Sequence, residues 1–209
     1  MTTVISLDGS FVAQSQDNDV LAYKGIRYAT ADRFEPPIAY RPNDEPYEAF
    51  EYGSSPMQTP GMLELLLGLT EENNNEDCLF LNIYTPTKSS SEPLPVLFWI
   101  YGGAFVNGSS SIAWYDGSNL ARSANAVVVT INYRLGVFGF LGSTNLGLLD
   151  QICALKWVNR NIAAFGGDPE NVTVFGESAG GASVVALLAA RDAQPYFAKA
   201  WAMSPSIGQ

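Results

Sequence analysis

Three short runs of β-branched and aromatic residues constrain this chain more than anything else in it. They are Pro95–Tyr101 (PVLFWIY), Ala126–Asn132 (AVVVTIN) and Val172–Phe175 (VTVF). A run apolar on consecutive positions offers apolar side chains to both faces of a strand, so it belongs inside a sheet covered on both sides. Between and after the runs the period changes. Leu148, Ile152, Leu155, Val158 and Ile162 recur at helical spacing and predict a helix from about Leu146 to Phe165. Ala179–Ala190 follows the third run directly and also reads as a helix, and Ala198–Met203 reads as one more strand. Strands alternating with helices predict an α/β fold whose mostly parallel central sheet is flanked by helices.

The start of the chain reads as a hairpin: Thr3–Leu7, a turn at Asp8-Gly9, then Ser10–Gln14. Leu79–Tyr84 alternates as a strand, Gly61–Thr70 is expected as a short helix, and Asn73–Asn75 as a solvated loop. Charged residues make up only 15% of the chain, well under the usual quarter, so much of it is expected to be interior.

Lys and Arg number 11 against 21 Asp and Glu, a formal charge of −10. An acidic chain without basic clusters repels phosphate, which argues against nucleic acid and anionic membranes as partners. The apolar runs fall far short of the ~18 residues of a membrane helix. No basic, apolar leader opens the sequence, so no signal peptide is expected and the expected compartment is the cytoplasm. The two cysteines, Cys78 and Cys153, are no disulfide framework. No Gly-x-Gly and no Gly-x-x-x-x-Gly-Lys occurs, so the usual phosphate-cradling loops are missing.

The chemistry is concentrated in Gly176-Glu177-Ser178-Ala179-Gly180. A serine hydroxyl is a weak nucleophile and must be presented to a base and a substrate together. A sharp strand-to-helix turn does this, and it is so tight that the positions two before and two after the serine must be small. Here a strand precedes the motif and a small-residue helix follows it. The alternative is that Ser178 only caps that helix, a role that requires no flanking glycines. Glu177 is expected as buried support beside Gly176 and Gly180. Directly after the first apolar run comes Tyr101-Gly102-Gly103-Ala104-Phe105. Alone, Gly-Gly after a strand is more often a turn. Beside a nucleophile it predicts that the amides of Gly103, Ala104 and Ala179 converge on one oxyanion.

At this point the chain resembles the type-B carboxylesterase and cholinesterase family. The matching blocks run in order: Gly25-Ile-Arg-Tyr-Ala29 with Arg33-Phe34 and Pro36-Pro37; Glu76-Asp-Cys-Leu79 with Asn82; Trp99–Phe105; Tyr115-Asp-Gly117; Asn132-Tyr-Arg-Leu-Gly136 and Gly139-Phe-Leu141; Gly147-Leu-Leu-Asp-Gln151; and Phe165-Gly-Gly-Asp-Pro169. The resemblance implies an α/β-hydrolase that hydrolyses small-molecule carboxylic esters through a serine acyl-enzyme, with Ser178 as nucleophile, no cofactor and no metal. It also implies that residues 1–209 are the N-terminal portion of a single domain that breaks off after the strand following the nucleophile helix. The triad acid and histidine then belong to a further, C-terminal portion of the same enzyme.

The chain contains no histidine, so by itself it is expected to be inactive. A non-catalytic, cholinesterase-like binding module is the alternative, and Ser178 argues against it. The family's cysteine before Pro-Gln is absent from Ser55-Pro-Met-Gln58, so Cys78 has lost the partner the resemblance would give it. No tryptophan lies between Ser55 and Cys78, which removes the choline-binding ring of cholinesterases. The Gly-Gly-Ala loop resembles that of esterases accepting bulky alcohols. Ser204-Pro205 stands where the family has Ser-Gly, and Ser204 is expected as a buried structural serine.

Overall fold

A computed structural model describes residues 2–16, 19–42, 45–59, 61, 66, 73–88, 90–142 and 144–207. The main sheet is built from β1 (Thr2–Ser6), β2 (Gly9–Gln16), β3 (Val20–Arg27), β4 (Phe80–Pro86), β5 (Leu94–Ile100), β6 (Val127–Ile131), β7 (Gly167–Glu177) and β8 (Lys199–Met203), with the two-residue strand Tyr47–Glu48 alongside β2. Their order across the sheet is β1-β2-β3-β4-β6-β5-β7-β8. The sheet has two halves. From β1 to β6 each neighbour runs antiparallel. β6, β5, β7 and β8 are mutually parallel, and this half carries the candidate chemistry.

The described helices that flank the sheet are α1 (Ser118–Ala124), α2 (Gly136–Phe140), α3 (Leu146–Asn161) and α4 (Ala179–Ala189). The helix expected over Leu146–Phe165 tightens into a 3-10 turn at Ile162–Phe165, and left-handed Gly166 ends it. Ile152, Leu155, Val158 and Ile162 are buried and Leu148 half-buried. They pack on one sheet face with Val96, Phe98, Ile100, Val172 and Val174, and with Val184 and Leu187 of α4.

The opposite face is covered unevenly. α1 closes it over β3, β4 and β6, where Val20, Ala22, Tyr84, Ala121 and Val128 form a second cluster. Beyond β6 the cover stops. Register aligns Trp99 of β5 with Phe175 of β7, and Phe175 with Trp201 of β8. This aromatic row borders a groove of about 280 Å³ beside Trp114, Tyr115 and Leu120. Trp201 is 62% exposed. The expectation that Pro95–Tyr101 is buried on both faces therefore needs correction. Val96, Phe98 and Ile100 are buried, but Leu97 and Trp99 are only half-buried, because no helix among the described residues reaches over that end.

The hairpin forms as expected with its turn one step earlier, since Ser6 pairs with Gly9 around Leu7-Asp8. Asp8 fixes the hairpin to the end of α3. Its carboxylate accepts from Arg160 Nε (3.1 Å), Arg160 Nη2 (2.9 Å) and Asn161 Nδ2 (2.8 Å), and its own N–H donates to Asn161 Oδ1. β7 is longer than Val172–Phe175. Gly167 already pairs with Leu94, and the register then shifts before Val96–Val172, the stretch that holds Pro169, which has no N–H to give a ladder. The asparagine run is no free loop: Asn74–Asn75 pairs in parallel with Ser55–Pro56. Of the helix expected over Gly61–Thr70, all but Gly61 and Leu66 lies outside the described residues.

Candidate active site

Register brings the two motifs together. Trp99 of β5 pairs with Phe175 and Ile100 with Gly176 of β7, so the residues after Ile100 emerge beside the residues after Gly176. A Cβ added to Gly102 would lie 2.8 Å from the Glu177 carbonyl oxygen and 3.2 Å from the Ser178 Cβ. The glycine-rich loop and the serine turn are thus in contact at the C-terminal ends of adjacent parallel strands.

Ser178 is half-buried and sits at φ 57°, ψ −119° between β7 and α4. Such a conformation costs on the order of 1–3 kcal/mol and persists only where the surroundings impose it. They do so here. The Ser178 N–H donates to the Met203 carbonyl of β8 (2.9 Å), and its carbonyl accepts from Ala182 (2.9 Å). The side chain makes no capping hydrogen bond to α4, which removes the reading of Ser178 as a helix cap. Gly176 and Gly180 are small for a reason seen in the packing. A Cβ on Gly176 would meet the Gly180 backbone at 2.6 Å, and one on Gly180 would meet the Ile100 carbonyl oxygen at 2.0 Å. Ala179 is buried and opens α4, so its N–H has no intrahelical acceptor and lies at the positive end of the helix.

The loop after β5 has three consecutive positive-φ residues: Gly103 (103°), Ala104 (54°) and Phe105 (62°). Successive amides in such a turn form a concavity suited to an anion. Among the described residues the amides of Gly103 and Ala104 donate to no protein acceptor. The loop is held through its carbonyls instead. Gly103 O accepts from Val106 (3.0 Å) and Asn107 (3.1 Å), and Phe105 O accepts from Gly136 (2.6 Å). The Phe105 ring packs edge-on against Phe140 of α2, with centroids 5.0 Å apart.

Two expected placements are corrected. Glu177 is exposed, not buried, and its carboxylate has no hydrogen bond among the described residues. It is the last residue of β7, where the strand leaves the sheet, and its Oε2 lies 3.0 Å from the Cβ position of Gly102. Ser204 is likewise exposed, at φ 44°, directly past the end of edge strand β8.

No base is at hand. The lysines nearest in sequence are engaged elsewhere. Lys199 Nζ donates to Asn171 Oδ1 (2.7 Å) and aligns with Thr173, four residues down β8 from Met203, or roughly 13 Å at the strand rise. Lys156 lies over the Tyr196 ring. Both cysteines are free. Burial pushes the Cys78 thiol far up and that of Cys153 up to about 11, so neither supplies a thiolate near neutrality. No cluster of potential metal ligands occurs among the described residues. Among them, too, no helix is long and apolar enough to cross a membrane.

Several supporting residues carried no role in the sequence analysis. Arg134 and Asp150, both buried, form a two-pronged ion pair: Arg134 Nε to Asp150 Oδ2 (2.9 Å) and Nη2 to Oδ1 (2.7 Å). The Arg134 N–H also donates to Asp150 Oδ2, and Nη1 to the Glu35 carbonyl. Burial pushes the Asp150 carboxyl up, against the pull of Arg134. Asn132 Oδ1 accepts from the Ser110 N–H (2.8 Å), while Asn82 Nδ2 donates to Ser110 Oγ (3.1 Å) and Thr130 Oγ1 (3.0 Å). Asn82, Asn132, Arg134 and Asp150 lie within the motif blocks quoted above, but only the fold shows what they join.

A serine on a strained strand-to-helix turn, with a glycine-rich loop beside it on a parallel sheet, is the arrangement of an α/β-hydrolase. The model of the carboxylesterase family matches residues 2–208, and the chain belongs to that family. It is 48% identical to the para-nitrobenzyl esterase of Bacillus subtilis over 202 residues, which covers 90% of this chain and 41% of that protein. It is 41% identical to the acetylcholinesterase of Electrophorus electricus, covering 96% of this chain and 34% of the enzyme. Among solved structures, a thermophilic PNB esterase superposes with a TM-score of 0.88 at 45% identity, covering 95% of this chain and 43% of that one. The chain thus spans between about a third and two-fifths of the length of the esterases it matches.

Proposed function

We propose that this chain supplies the nucleophile and the oxyanion site of a serine carboxylesterase acting on small-molecule esters. One observation carries the reading: uncapped Ser178, held in a strained turn between Gly176 and Gly180, abuts a loop whose Gly103 and Ala104 amides have no protein acceptor. In the proposed reaction Ser178 Oγ attacks the ester carbonyl carbon and a base takes its proton. The carbonyl oxygen becomes an oxyanion facing the amides of Gly103, Ala104 and Ala179. The tetrahedral intermediate collapses to the acyl-serine as the alcohol leaves with the proton. Water, deprotonated by the same base, then releases the acid and restores Ser178.

The base and its orienting acid come, in this reading, from a downstream portion of the same domain, because the chain has no histidine. The row of half-buried Trp99 and Phe175 and exposed Trp201 on the last parallel strands supports this, since it is an apolar surface awaiting a cover. The similarity to a para-nitrobenzyl esterase supports arylmethyl esters as substrates, the missing tryptophan between Ser55 and Cys78 argues against choline esters, and the Gly-Gly-Ala loop favours bulky alcohols. The unpaired thiol of Cys78 favours a reducing compartment such as the cytoplasm.

The test is a chimera in which the downstream residues of the Bacillus subtilis esterase complete this chain. Its turnover of an aryl ester is expected to fall on the order of 10⁶-fold on Ser178→Ala. Retention of most activity overturns the assignment, and a chimera that folds yet neither turns over esters nor labels at Ser178 favours a non-catalytic binding module.

A further inference from the structure

The Gly103–Phe105 loop is unusual in needing three positive-φ residues in a row, two of them with side chains. Local preference disfavours this at each non-glycine position, so something outside the loop must hold it. Its near end is fixed by β5. Its far end is Gly108, buried and itself at φ 116°. One side chain grips Gly108 on both polar atoms: the Gly108 N–H donates to Gln58 Oε1 (2.7 Å), and Gln58 Nε2 donates to the Gly108 carbonyl (2.8 Å).

The segment bearing Gln58 is anchored in turn. The Ser55 N–H donates to the Asn73 carbonyl (2.9 Å), Asn132 Nδ2 donates to the Ser54 carbonyl (3.0 Å), and Ser55 Oγ donates to Ser109 Oγ (2.8 Å). Gln58 Nε2 also reaches back to the Pro56 carbonyl (3.1 Å).

We propose that Gln58 is a positioning residue for the oxyanion loop: by clasping both polar atoms of Gly108 it fixes the far end of the loop and so keeps Gly103 and Ala104 in their left-handed conformations. The proposal rests on the esterase reading for its catalytic meaning, but the clasp can be tested without it. A primary amide suits the place because it donates and accepts side by side, matching the C=O and N–H of a single residue. A carboxylate can only accept, and it would set negative charge against the Gly108 and Pro56 carbonyl oxygens.

That difference gives a test on the 209-residue chain by site-resolved amide hydrogen exchange. The informative amides are Val106, Asn107 and Gly136, whose acceptors are the carbonyls of Gly103 and Phe105. Gly108 is uninformative because it loses its acceptor directly. In Gln58→Ala these three amides are expected to exchange roughly tenfold faster or more, as two hydrogen bonds are lost. The Ala182 amide, bonded to the Ser178 carbonyl, is expected to stay unchanged.

Gln58→Glu supplies the rescue. Near pH 8 its carboxylate should leave the loop as loose as in the alanine variant. At and below about pH 4, under the ordinary glutamate value of about 4.3, the neutral carboxyl regains a donor beside its acceptor, and protection, corrected for intrinsic exchange, is expected to return toward wild type. The wild-type loop is expected to show no such change. Faster exchange at Gly108 alone overturns the proposal, because the clasp is then local. Equal loss at Ala182 in both variants overturns it as well, because Gln58 then serves general stability. So does a Glu variant with no pH-dependent recovery. Any of these failures leaves the Ser178 assignment standing, whereas an inert Ser178 in the chimera removes the esterase reading and leaves the clasp.

Discussion

Replacing Gly180 by alanine sets two effects of opposite sign against each other. Gly180 is the second residue of α4, and in a helix alanine is favoured over glycine by about 1 kcal/mol. Propensity alone therefore predicts a more stable protein. The new Cβ, however, would lie 2.0 Å from the Ile100 carbonyl oxygen, 2.8 Å from the Ile100 carbonyl carbon and 2.8 Å from the Tyr101 carbonyl oxygen. All three are backbone atoms, so no side chain can rotate away. Ordinary contact requires the start of α4 and the end of β5 to part by roughly 1.4 Å, in an interior packed like a crystal. Forced overpacking of this kind costs about 1–3 kcal/mol and sometimes more. The net expectation is a loss of roughly 2 kcal/mol, which moves a urea midpoint down by about 1 M at an ordinary slope. Gly181→Ala is the internal control. It gains the same propensity, but its Cβ would meet the Met203 carbonyl oxygen at 2.6 Å, a smaller displacement. The order of midpoints, measured by circular dichroism in urea, is expected to be wild type, then Gly181→Ala, then Gly180→Ala. A Gly180→Ala chain as stable as wild type would refute the steric account of why the motif needs its second glycine.

Breaking the buried pair by Asp150→Asn strands the Arg134 guanidinium and is expected to cost about 3–5 kcal/mol in urea unfolding. Arg134→Met with Asp150→Leu is expected to recover much of that, and a double variant as unstable as the sum of the singles would show that the two do not act as a pair. Burial pushes the Asp8 carboxyl up, but the hydrogen bonds of Arg160 and Asn161 and the Arg160 charge outweigh it and hold it below its ordinary 3.8. A lowered folded pKa gives stability that is present above the unfolded value and lost as pH falls through the folded one. The acid limb of stability below about pH 4 is thus expected to be shallower in Asp8→Asn, and identical acid limbs would contradict the role given to the hairpin anchor. Thiol counting under denaturing, non-reducing conditions is expected to find two free thiols; finding none would contradict the assignment of Cys78 and Cys153 as unpaired.

What the sequence revealed follows from which interactions are local. The apolar runs located β5, β6 and the core of β7 because a continuous run of β-branched and aromatic residues needs no partner to be recognised, although only β6 is buried on both faces. The elbow was legible because its glycines answer to one steric demand within five residues. The strand extension to Gly167 was not, since it depends on pairing with Leu94 across the sheet. The half-exposure of Trp99 was missed because a sequence shows that a residue is apolar, not whether a helix arrives to cover it. Glu177 was misplaced for a similar reason, its environment being set by the loop after β5 and the end of β8. Gln58 stood out in the sequence only as the end of the Ser55–Gln58 stretch that lacks the family's cysteine. Its grip on Gly108 spans 50 positions, and no periodicity reports a contact of that range.

The account stands most directly on whether Ser178 becomes reactive only when a base is supplied from outside this chain. A fluorophosphonate probe forms a covalent adduct with an activated serine, and mass spectrometry of the digest locates it. The chain alone and the chain completed by the downstream residues of the Bacillus subtilis esterase should be treated side by side, with hydrolysis of a short-chain aryl ester followed in each. The prediction is a stoichiometric adduct on Ser178 and steady turnover in the completed protein, with neither in the 209-residue chain. Stoichiometric labelling and steady turnover by the chain alone, or an adduct on any residue other than Ser178, would contradict it.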